Sequence, residues 1–376
     1  MNRIIKKILL GVALISGLIL LSSIGLVIYA KIVNSKDSAP KESKVLKLIN
    51  DNPEKCALKL VRNDTIIAEL NPQKPMSLAS TMKVIIAIEY ACQASNGMLN
   101  PDEEVGLLDL NRYYVARSDG GAHPAWLKSI REETQNDSIS IREIASGMIR
   151  YSSNANTEWL CDKLGLVNIN NQLNKLGVKS HEDIFYPVSS LFIGDEEFPD
   201  LQDEELETAV TEMSQEEYRE SANRIHSKMK ADTNYIKRER NKEIRMQKIR
   251  SNKLPKSTVE DYVKIMKKIN SRTHFTPSEQ AYLDEIMEYL LKNPANKKWL
   301  KHTGKKGGST AFVLTSAIYA TDLKGNTTEL AYFFEDLSQR EMRRLKLNKN
   351  QFELKILTNQ KFRDTIGYTL NIVTVE

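Results

Sequence analysis

Cysteine is scarce in this sequence, and the cysteines that occur form no pattern. Only Cys56, Cys92 and Cys161 are found among 376 residues, and no C-x-x-C pair is present. Such a small odd number argues against a disulfide framework, and the apolar helical surroundings of Cys92 and Cys161 predict buried free thiols. The five histidines show no metal-ligand spacing. We therefore expect no metal and no other cofactor.

A strong excess of one charge is also lacking. The formal net charge is +5, which argues against a dedicated nucleic-acid binder, and 41% hydrophobic residues are typical of a globular protein. The charge is nevertheless uneven within residues 203–256, where an acidic half precedes a basic half. One interpretation is a solvated helical hairpin whose halves attract each other. The other is a basic face at 237–256 that binds anionic lipid or an anionic wall polymer.

Only one long hydrophobic run occurs, at residues 8–30, and it contains no charged residue. A helix of roughly 20 apolar residues crosses a bilayer, and the preceding Arg3, Lys6 and Lys7 predict a cytoplasmic N-terminus. The alternative is a cleaved signal peptide, whose apolar region is usually only about 7–15 residues long. We favour a single-pass anchor at 1–34 in the cytoplasmic membrane. Residues 35–376 then form an extracytoplasmic domain, interrupted by the charged insertion 203–256.

The remaining patterns predict strands at both ends of this domain and helices between them. Two apolar runs around Arg62-Asn63-Asp64 indicate a β-hairpin, and residues 96–130 look irregular. This order favours an α/β part and an all-α part built by one interrupted chain. The predicted strands are Cys56–Val61, Thr65–Leu70, Phe312–Thr321 and Thr328–Phe334, and the predicted helices are Ser43–Asn50, Ser80–Ala94, Ser140–Tyr151 and Asn156–Gly165.

The first candidate for catalytic chemistry is Ser80-Thr81-Met82-Lys83 at the start of an apolar helix. Residues three apart share a helix face, so the amine of Lys83 can approach the hydroxyl of Ser80. A serine hydroxyl becomes a good nucleophile when a nearby base takes its proton, and burial lowers the pKa of lysine enough for that role. Ser38 with Lys41 and Ser227 with Lys230 have the same spacing, but they lack the apolar helix and the preceding hairpin.

Two further motifs follow in the chain. Ser152-Ser153-Asn154 lies between two predicted helices, where a hydroxyl can relay a proton and an amide can hold both the lysine and a substrate. Lys306-Gly307-Gly308-Ser309 precedes a predicted strand, and its glycines permit close approach of a substrate backbone to Gly308 and Ser309. His302-Thr303-Gly304 competes with Lys306 for the third position. His302, Gly304 and Lys306 would share one strand face.

Together the three motifs resemble the S-x-x-K, S-D-N and K-T-G signature of class A β-lactamases and low-molecular-weight D-Ala-D-Ala peptidases. Ser80 to Lys83 match fully, Ser152 to Asn154 differ at the centre, and Lys306 to Gly308 have Gly in place of Thr. The segment Arg117–Pro124 is similar to an insertion in a divergent β-lactamase-like branch. The resemblance implies a five-stranded antiparallel sheet flanked by helices, an all-α subdomain, and the active site between them.

In the mechanism that the motifs indicate, Lys83, beside Ser152 and Asn154, deprotonates Ser80. The backbone N–H groups of Ser80 and Ser309 hold the oxyanion, and Lys306 borders the site. We expect a serine hydrolase that acts on a β-lactam or on D-alanyl cell-wall peptides. An esterase acting on D-alanyl or similar esters of wall polymers is an alternative, and so is an impaired penicillin-binding sensor or wall-binding protein.

Two departures from the family pattern favour the impaired sensor or wall-binding protein. The stretch 185–190, where class A enzymes carry the deacylating glutamate, contains no acid, and Glu182 and Asp183 come several residues too early. No arginine occurs between positions 273 and 338, so the guanidinium that usually pairs with a substrate carboxylate is missing. Rapid turnover of β-lactams is therefore not expected from the sequence.

Overall fold

The computed structural model describes residues 41–133, 137–238 and 240–373, and a five-stranded antiparallel sheet lies at its centre. The order of its strands is β2-β1-β9-β8-β7, so sequence-distant strands from both ends of the domain are neighbours. These strands are β1 (Cys56–Arg62), β2 (Thr65–Leu70), β7 (Leu300–Ser309), β8 (Leu314–Asp322) and β9 (Thr327–Phe334). Short two-residue and three-residue strands form two further pairs: β3 (Met76–Ser77) with β6 (Lys256–Ser257), and β4 (Glu104–Gly106) with β5 (Ser138–Ser140).

The hairpin between β1 and β2 confirms the turn predicted at Arg62-Asn63-Asp64. Asn63 and Asp64 have φ values of 48° and 63°. Two successive left-handed residues connect antiparallel strands with the correct twist, and Asn and Asp tolerate that conformation better than other side chains. The three inner strands, β1, β9 and β8, are buried along nearly their whole length. Helices must therefore cover both faces of the sheet.

On one face of the sheet the helix α12 packs against β1, β8 and β9, whereas α1, α15 and α16 build a separate apolar layer on the other face. The helix α2 is surrounded by α5, α6, α7 and α13, so this part of the molecule consists of helices packed on each other. The helices are α1 (Ser43–Asp51), α2 (Lys83–Ser95), α3 (Leu107–Asn111), α4 (Ala122–Glu133), α5 (Ile141–Arg150), α6 (Asn154–Leu164), α7 (Leu166–Leu176), α8 (Ile193–Glu197), α9 (Asp203–Glu212), α10 (Gln215–Ala231), α11 (Ile244–Asn252), α12 (Val259–Ser271), α13 (Pro277–Met287), α14 (Pro294–Lys297), α15 (Gln339–Thr358) and α16 (Gln360–Val373).

Two expectations from the sequence are wrong. Residues 96–130 are not irregular, because they contain β4, α3 and most of α4. The charged insertion is not a solvated hairpin, because its helices α9, α10 and α11 bury apolar side chains against residues 185–193. In both cases short elements obtain their stability from tertiary packing, which local sequence patterns do not report.

The predicted membrane anchor at 1–34 lies outside the described residues. Within the described ranges, no helix has an apolar stretch that is long enough to cross a bilayer.

Candidate active site

The serine of the first motif lies in a tight turn rather than in the helix itself. Residues Ala79–Met82 form a 3₁₀ turn, and α2 begins at Lys83. Ala79 has a φ of +45°, which is unfavourable for a side chain with a Cβ and persists only where the surroundings enforce it. Thr315 on β8 supplies such a constraint, since its Oγ1 donates to Leu78 O at 2.8 Å. The turn that presents Ser80 is therefore fixed to the sheet.

The strand β7 approaches this turn at Gly308. A Cβ added to Gly308 would lie 2.5 Å from the backbone N of Ser80 and 2.7 Å from Leu78 O. Any larger residue at this position would force the strand away from the nucleophile. Because β7 is an edge strand, its outer backbone groups have no strand partner in the sheet. Gly308 thus brings Ser80 next to a strand edge that can accept an extended substrate.

Lys83 is almost completely buried, with 1% of its surface exposed. Its Nζ donates to Ser152 O at 2.8 Å, to Ser152 Oγ at 3.3 Å and to Asn154 Oδ1 at 2.9 Å. Burial disfavours the charged ammonium and lowers the pKa of Lys83 to about 7, although the charges of Asp119 and Cys161 oppose this shift. An amine with this pKa is neutral in a large fraction of molecules at neutral pH, which a proton acceptor requires.

Ser152 connects Lys83 to the strand β7. Lys306 is also buried, and its Nζ donates to Ser152 Oγ at 2.9 Å and to Gly307 O at 2.8 Å. Burial lowers the pKa of Lys306 well below its ordinary value, and the charge of Lys83 lowers it further. A hydroxyl has two acceptor sites and one hydrogen. With both amines donating to Ser152 Oγ, its own hydrogen remains available for a third partner, such as the leaving group of a substrate.

A network of hydrogen bonds that involves residues outside the three motifs holds the backbone around Ser152. Ser152 has a φ of +70°, and Ser153 caps α6 by accepting from the N–H of Asn156. The ring of His123 lies with Nδ1 2.9 Å from Ser153 Oγ. Asp119 in turn accepts from the N–H of His123 at 2.9 Å, at the start of α4. The segment 117–124 therefore packs against the second motif.

The competing third motif occupies a different part of the same strand. His302 and Lys306 both lie on β7, four residues apart, which is roughly 13 Å along a strand. His302 Nδ1 is 3.2 Å from a carboxylate oxygen of Glu288, whereas Lys306 contacts Ser152. The geometry thus joins Lys306, and not His302, to Ser152 and Lys83.

This difference gives a prediction for the two variants. Lys306→Ala should slow acylation roughly 10²-fold or more, because it removes the amine that donates to Ser152 Oγ next to the reacting centre. His302→Ala should have a much smaller effect, because His302 lies near Glu288. Acylation rates of both variants, each checked for folding by circular dichroism, decide the question. The opposite order of effects would move the third motif to His302-Thr303-Gly304.

A lysine on the C-terminal side of the domain also reaches this region. The Nζ of Lys349, on α15, lies 3.8 Å from the position that a Cβ of Gly307 would occupy. The sequence analysis missed it because no motif surrounds it. A signal did exist: Leu345, Lys349 and Glu353 are spaced four apart, which places Lys349 on the face of α15 that packs on the sheet.

The loop that follows α7 is fixed to α6 by one buried carboxylate. Glu158 accepts from the N–H groups of Val188 at 2.7 Å and Ser189 at 3.2 Å. The two acids that precede this loop point elsewhere: Glu182 accepts from the N–H of Lys256, and Asp183 pairs with Arg219. Glu182 and Asp183 therefore both have other partners in the structure. Residues 185–190 themselves contain no acid.

The sequence model of the beta-lactamase enzyme family matches residues 40–297, which is more than half of the chain. The chain belongs to this family. The match includes Ser80, Lys83, Ser152 and Asn154, and it ends just before the strand that carries Lys306. No curated protein sequence matches the chain.

Solved structures with the same fold include penicillin-binding proteins and β-lactamases. PBP-A is 16% identical, with a TM-score of 0.52 and coverage of 85% of this chain and 96% of that chain. A PBP-A mutant in an acyl-enzyme complex with penicillin G is 17% identical, with a TM-score of 0.50 and coverage of 85% and 96%. A mutant chromosome-encoded β-lactamase of Vibrio parahaemolyticus is 12% identical, with a TM-score of 0.50 and coverage of 84% and 98%. These likenesses show a β-lactamase-like fold, as predicted, and the family match places this chain among the β-lactamase-like serine hydrolases.

Proposed function

We propose that this protein forms an acyl-enzyme at Ser80 with β-lactams or D-alanyl peptides. The observation that carries the proposal is the chain of hydrogen bonds in which Lys83 and Lys306 both donate to Ser152 Oγ beside the Ser80 turn. Three residues from three distant parts of the sequence thus form one polar cluster. Buried polar clusters of this kind are costly unless they are completely satisfied, so they are typical of functional sites.

The proposed reaction follows from the positions of the donors and acceptors. Neutral Lys83 takes the proton of Ser80, and Ser80 Oγ forms a bond with the substrate carbonyl carbon. The backbone N–H groups of Ser80 and Ser309 stabilise the oxyanion, and each such donor contributes roughly 3–4 kcal/mol. The carbonyl–nitrogen bond then breaks, Ser152 donates its hydrogen to the leaving nitrogen, and Ser152 is reprotonated by the proton that Lys83 took from Ser80. Water hydrolyses the ester and regenerates Ser80.

The charge next to the strand edge supports a substrate with an anionic group. The charges of Lys349 and Lys305 add to burial in lowering the pKa of Lys306, and the charge of Lys305 adds to burial in lowering the pKa of Lys349. Glu353 forms an ion pair with Lys305, and the described part of the chain shows no ion pair of Lys306 or Lys349. We propose that a substrate carboxylate near Gly307 takes the place of the missing partner. Lys349 would then act where other family members use an arginine.

The acyl-enzyme should be long-lived. A rapid deacylation step needs a base that activates water, and residues 185–190 contain no carboxylate. A protein that is acylated but turns over slowly behaves as a penicillin-binding peptidase or sensor rather than as an efficient β-lactamase. The same features fit a D-alanyl esterase, for which an ester replaces the amide.

A fluorescent penicillin followed by intact-mass measurement tests the proposal. We expect a single stable adduct on the wild-type protein, whose mass persists after free penicillin is removed. Rapid loss of the adduct with release of penicilloate would identify a β-lactamase instead. If no adduct forms with penicillins or with D-alanyl thioester probes, the proposed function is wrong, and a non-catalytic binding role remains.

We further propose that the domain is held at the outer side of the cytoplasmic membrane by residues 1–34. The uncharged run 8–30 behind three basic residues supports this proposal. An N-terminal tag should stay with the membranes, and an externally added protease should digest the domain. Recovery of a soluble form that begins near Lys31 would show that the run is cleaved. The basic residues at 237–256 stay a predicted site for anionic lipid or wall polymer.

A further inference from the structure

The charged insertion, residues 203–256, is packed onto the loop that follows α7. Its helices share one apolar cluster with the loop, and this cluster also contains Ala155, the neighbour of Asn154. The end of the insertion pairs with β3, directly before the Ser80 turn. The insertion therefore contacts both sides of the candidate active site. The cluster includes Ala155, Phe185, Val188, Phe192, Ile193, Leu206, Val210, Tyr218, Ile225, Met229 and Met246.

A buried carboxylate joins the loop, α6 and the insertion. Glu158 is completely buried, and it accepts hydrogen bonds from the N–H groups of Val188 and Ser189, from Ser189 Oγ and from His226 Nδ1 at 3.0 Å. His226 belongs to α10 of the insertion. A buried carboxylate is tolerated only when donors of this kind compensate for lost water. Removing one donor therefore weakens the attachment of the whole loop.

His226 is held between the carboxylates of α6 and the aromatic rings of neighbouring segments. Its Nε2 lies 3.3 Å from Asp162 Oδ1. Its ring is parallel to that of Tyr186 in the loop, with 3.6 Å between centroids, and is also stacked on Tyr113 at 5.3 Å. The mechanism proposed above uses none of these residues.

We propose that His226 is a positioning residue: through Glu158 it fixes the 186–190 loop against α6, and the insertion thereby controls acyl-enzyme formation at Ser80. Glu158 lies one turn after Asn154 on the same face of α6, and Asn154 accepts from Lys83. A shift of the loop and of α6 thus reaches Lys83 through Asn154. The part that concerns acylation rests on the proposed function, whereas the attachment of the loop does not.

The charge of His226 makes the attachment sensitive to pH. Burial by itself lowers the pKa of His226, but the nearby Asp162 and Glu158 outweigh burial and raise the pKa above 6.5. The charge-assisted part of the contact between His226 and Glu158 is therefore fully present below pH 6.5 and is lost as the pH rises through the raised pKa. The titratable groups in contact with His226 are Glu158 and Asp162 from α6, Tyr186 from the loop and Tyr113 from the segment after α3, and Asp162 also pairs with Lys230 of α10.

Hydrogen–deuterium exchange of the full-length protein tests the attachment directly. The amides of Val188 and Ser189 donate to Glu158, so their protection factors report the contact. In the wild type, protection of a peptide covering 184–192 should fall as the pH rises through the raised pKa of His226, beyond the intrinsic change in exchange rate. This dependence of protection on pH can be measured on the wild-type protein alone. Protection that stays constant with pH would overturn the proposal.

Variants then assign the effect to His226. In His226→Ala, protection of the same peptide should drop about tenfold or more at low pH, the equilibrium factor for one hydrogen bond to a charged group, and its pH dependence should disappear. Glu158→Gln should also remove the pH dependence while keeping the size of the side chain. The control is Asn223→Ala, which changes an exposed residue on the same helix and should behave as wild type.

The acylation rate separates a failure of this proposal from a failure of the proposed function. His226→Ala should slow acylation by a fluorescent penicillin roughly 2- to 30-fold, a range typical of coupling through packed elements. If the wild type is not acylated at all, the proposed function fails, while the exchange experiment still decides whether His226 holds the loop. Unchanged acylation in a variant with an unprotected loop would refute control of the active site by the insertion.

Discussion

Replacing Ser80 by alanine is expected to abolish covalent labelling by a penicillin or a fluorophosphonate completely. The hydroxyl oxygen of Ser80 forms the bond to the acyl group, so no acyl-enzyme can form once this oxygen is removed. The fold should persist, because Ser80 is only partly buried and the turn is held by contacts of Thr315 and Gly308 with its backbone. Intact-mass analysis after incubation with excess label is the measurement.

The matched control for this experiment is Ser227→Ala. Ser227 has the same spacing to Lys230 as Ser80 has to Lys83, but it lies exposed on α10 and donates to Asn223 O. This variant should be labelled like the wild type. A Ser80→Ala protein that is fully labelled would refute the assignment of the nucleophile, and peptide mapping would then locate the residue that reacts.

The second large effect is expected for Lys83→Met. Methionine fills a similar apolar volume but cannot accept a proton, so acylation should slow by roughly 10²- to 10⁴-fold, the usual contribution of a general base. In the wild type, the acylation rate should rise with pH through about 7 and then level off. The sign follows from burial, which lowers the pKa of Lys83 to about 7, so that the neutral, proton-accepting form increases above that pH.

The variant should lose this pH dependence together with its rate. Rates measured across the pH range for wild type, Lys83→Met and the exposed control Lys175→Met provide the comparison. Lys175→Met should follow the wild-type profile. If Lys83→Met keeps both the rate and the pH profile of the wild type, another group removes the proton from Ser80, and the buried Lys306 would be the next candidate.

Lys83 and Lys306 together explain why Ser152 is central to the site. Two buried amines that share one acceptor cannot both stay charged without a large desolvation cost. The pKa values of both are lowered by burial, and Lys83 lowers that of Lys306 further. We propose that protons are exchanged between the two lysines through Ser152. This exchange is what an acyl transfer with proton donation to the leaving group requires.

The charged insertion is attached to two segments near the candidate active site. It attaches to the loop through Glu158 and His226 and to the Ser80 turn through β6. The loop contains no acid within 185–190, and the proposed role of His226 makes its rigidity depend on residues outside the three catalytic motifs. The insertion thus links the pH of the surroundings to the geometry around Asn154.

Local sequence signals were sufficient wherever a few neighbouring residues decide the structure. The Asn63-Asp64 turn follows from two residues that tolerate positive φ, and both adjoining strands were predicted. The one-turn spacing of Ser80 and Lys83 places them together at the start of α2. The three motifs indicated the β-lactamase-like fold, which the family match confirms.

Local signals failed where the stabilising partner is far away in the sequence. The insertion was predicted as a hairpin from its charges, although Tyr218, Ala222, Ile225 and Met229 recur with the period of a helix and form a buried face. The many charged residues on the other faces of this helix make the apolar pattern hard to recognise in the sequence. Residues 96–130 look irregular in the sequence, although they contain short helices, because such helices form only when they are packed on other elements.

The sequence by itself determined the residue types of the chemistry, namely a serine, two lysines, an amide and glycines at suitable spacings. Only the tertiary structure decided which of them meet. Lys306 and Ser152 are 154 positions apart, and Lys349 reaches Gly307 from α15. The physical reason is that packing decides both how deeply an amine is buried, which sets its pKa, and which donors surround a buried carboxylate such as Glu158. Burial is a property of the packed chain, and no segment has it alone.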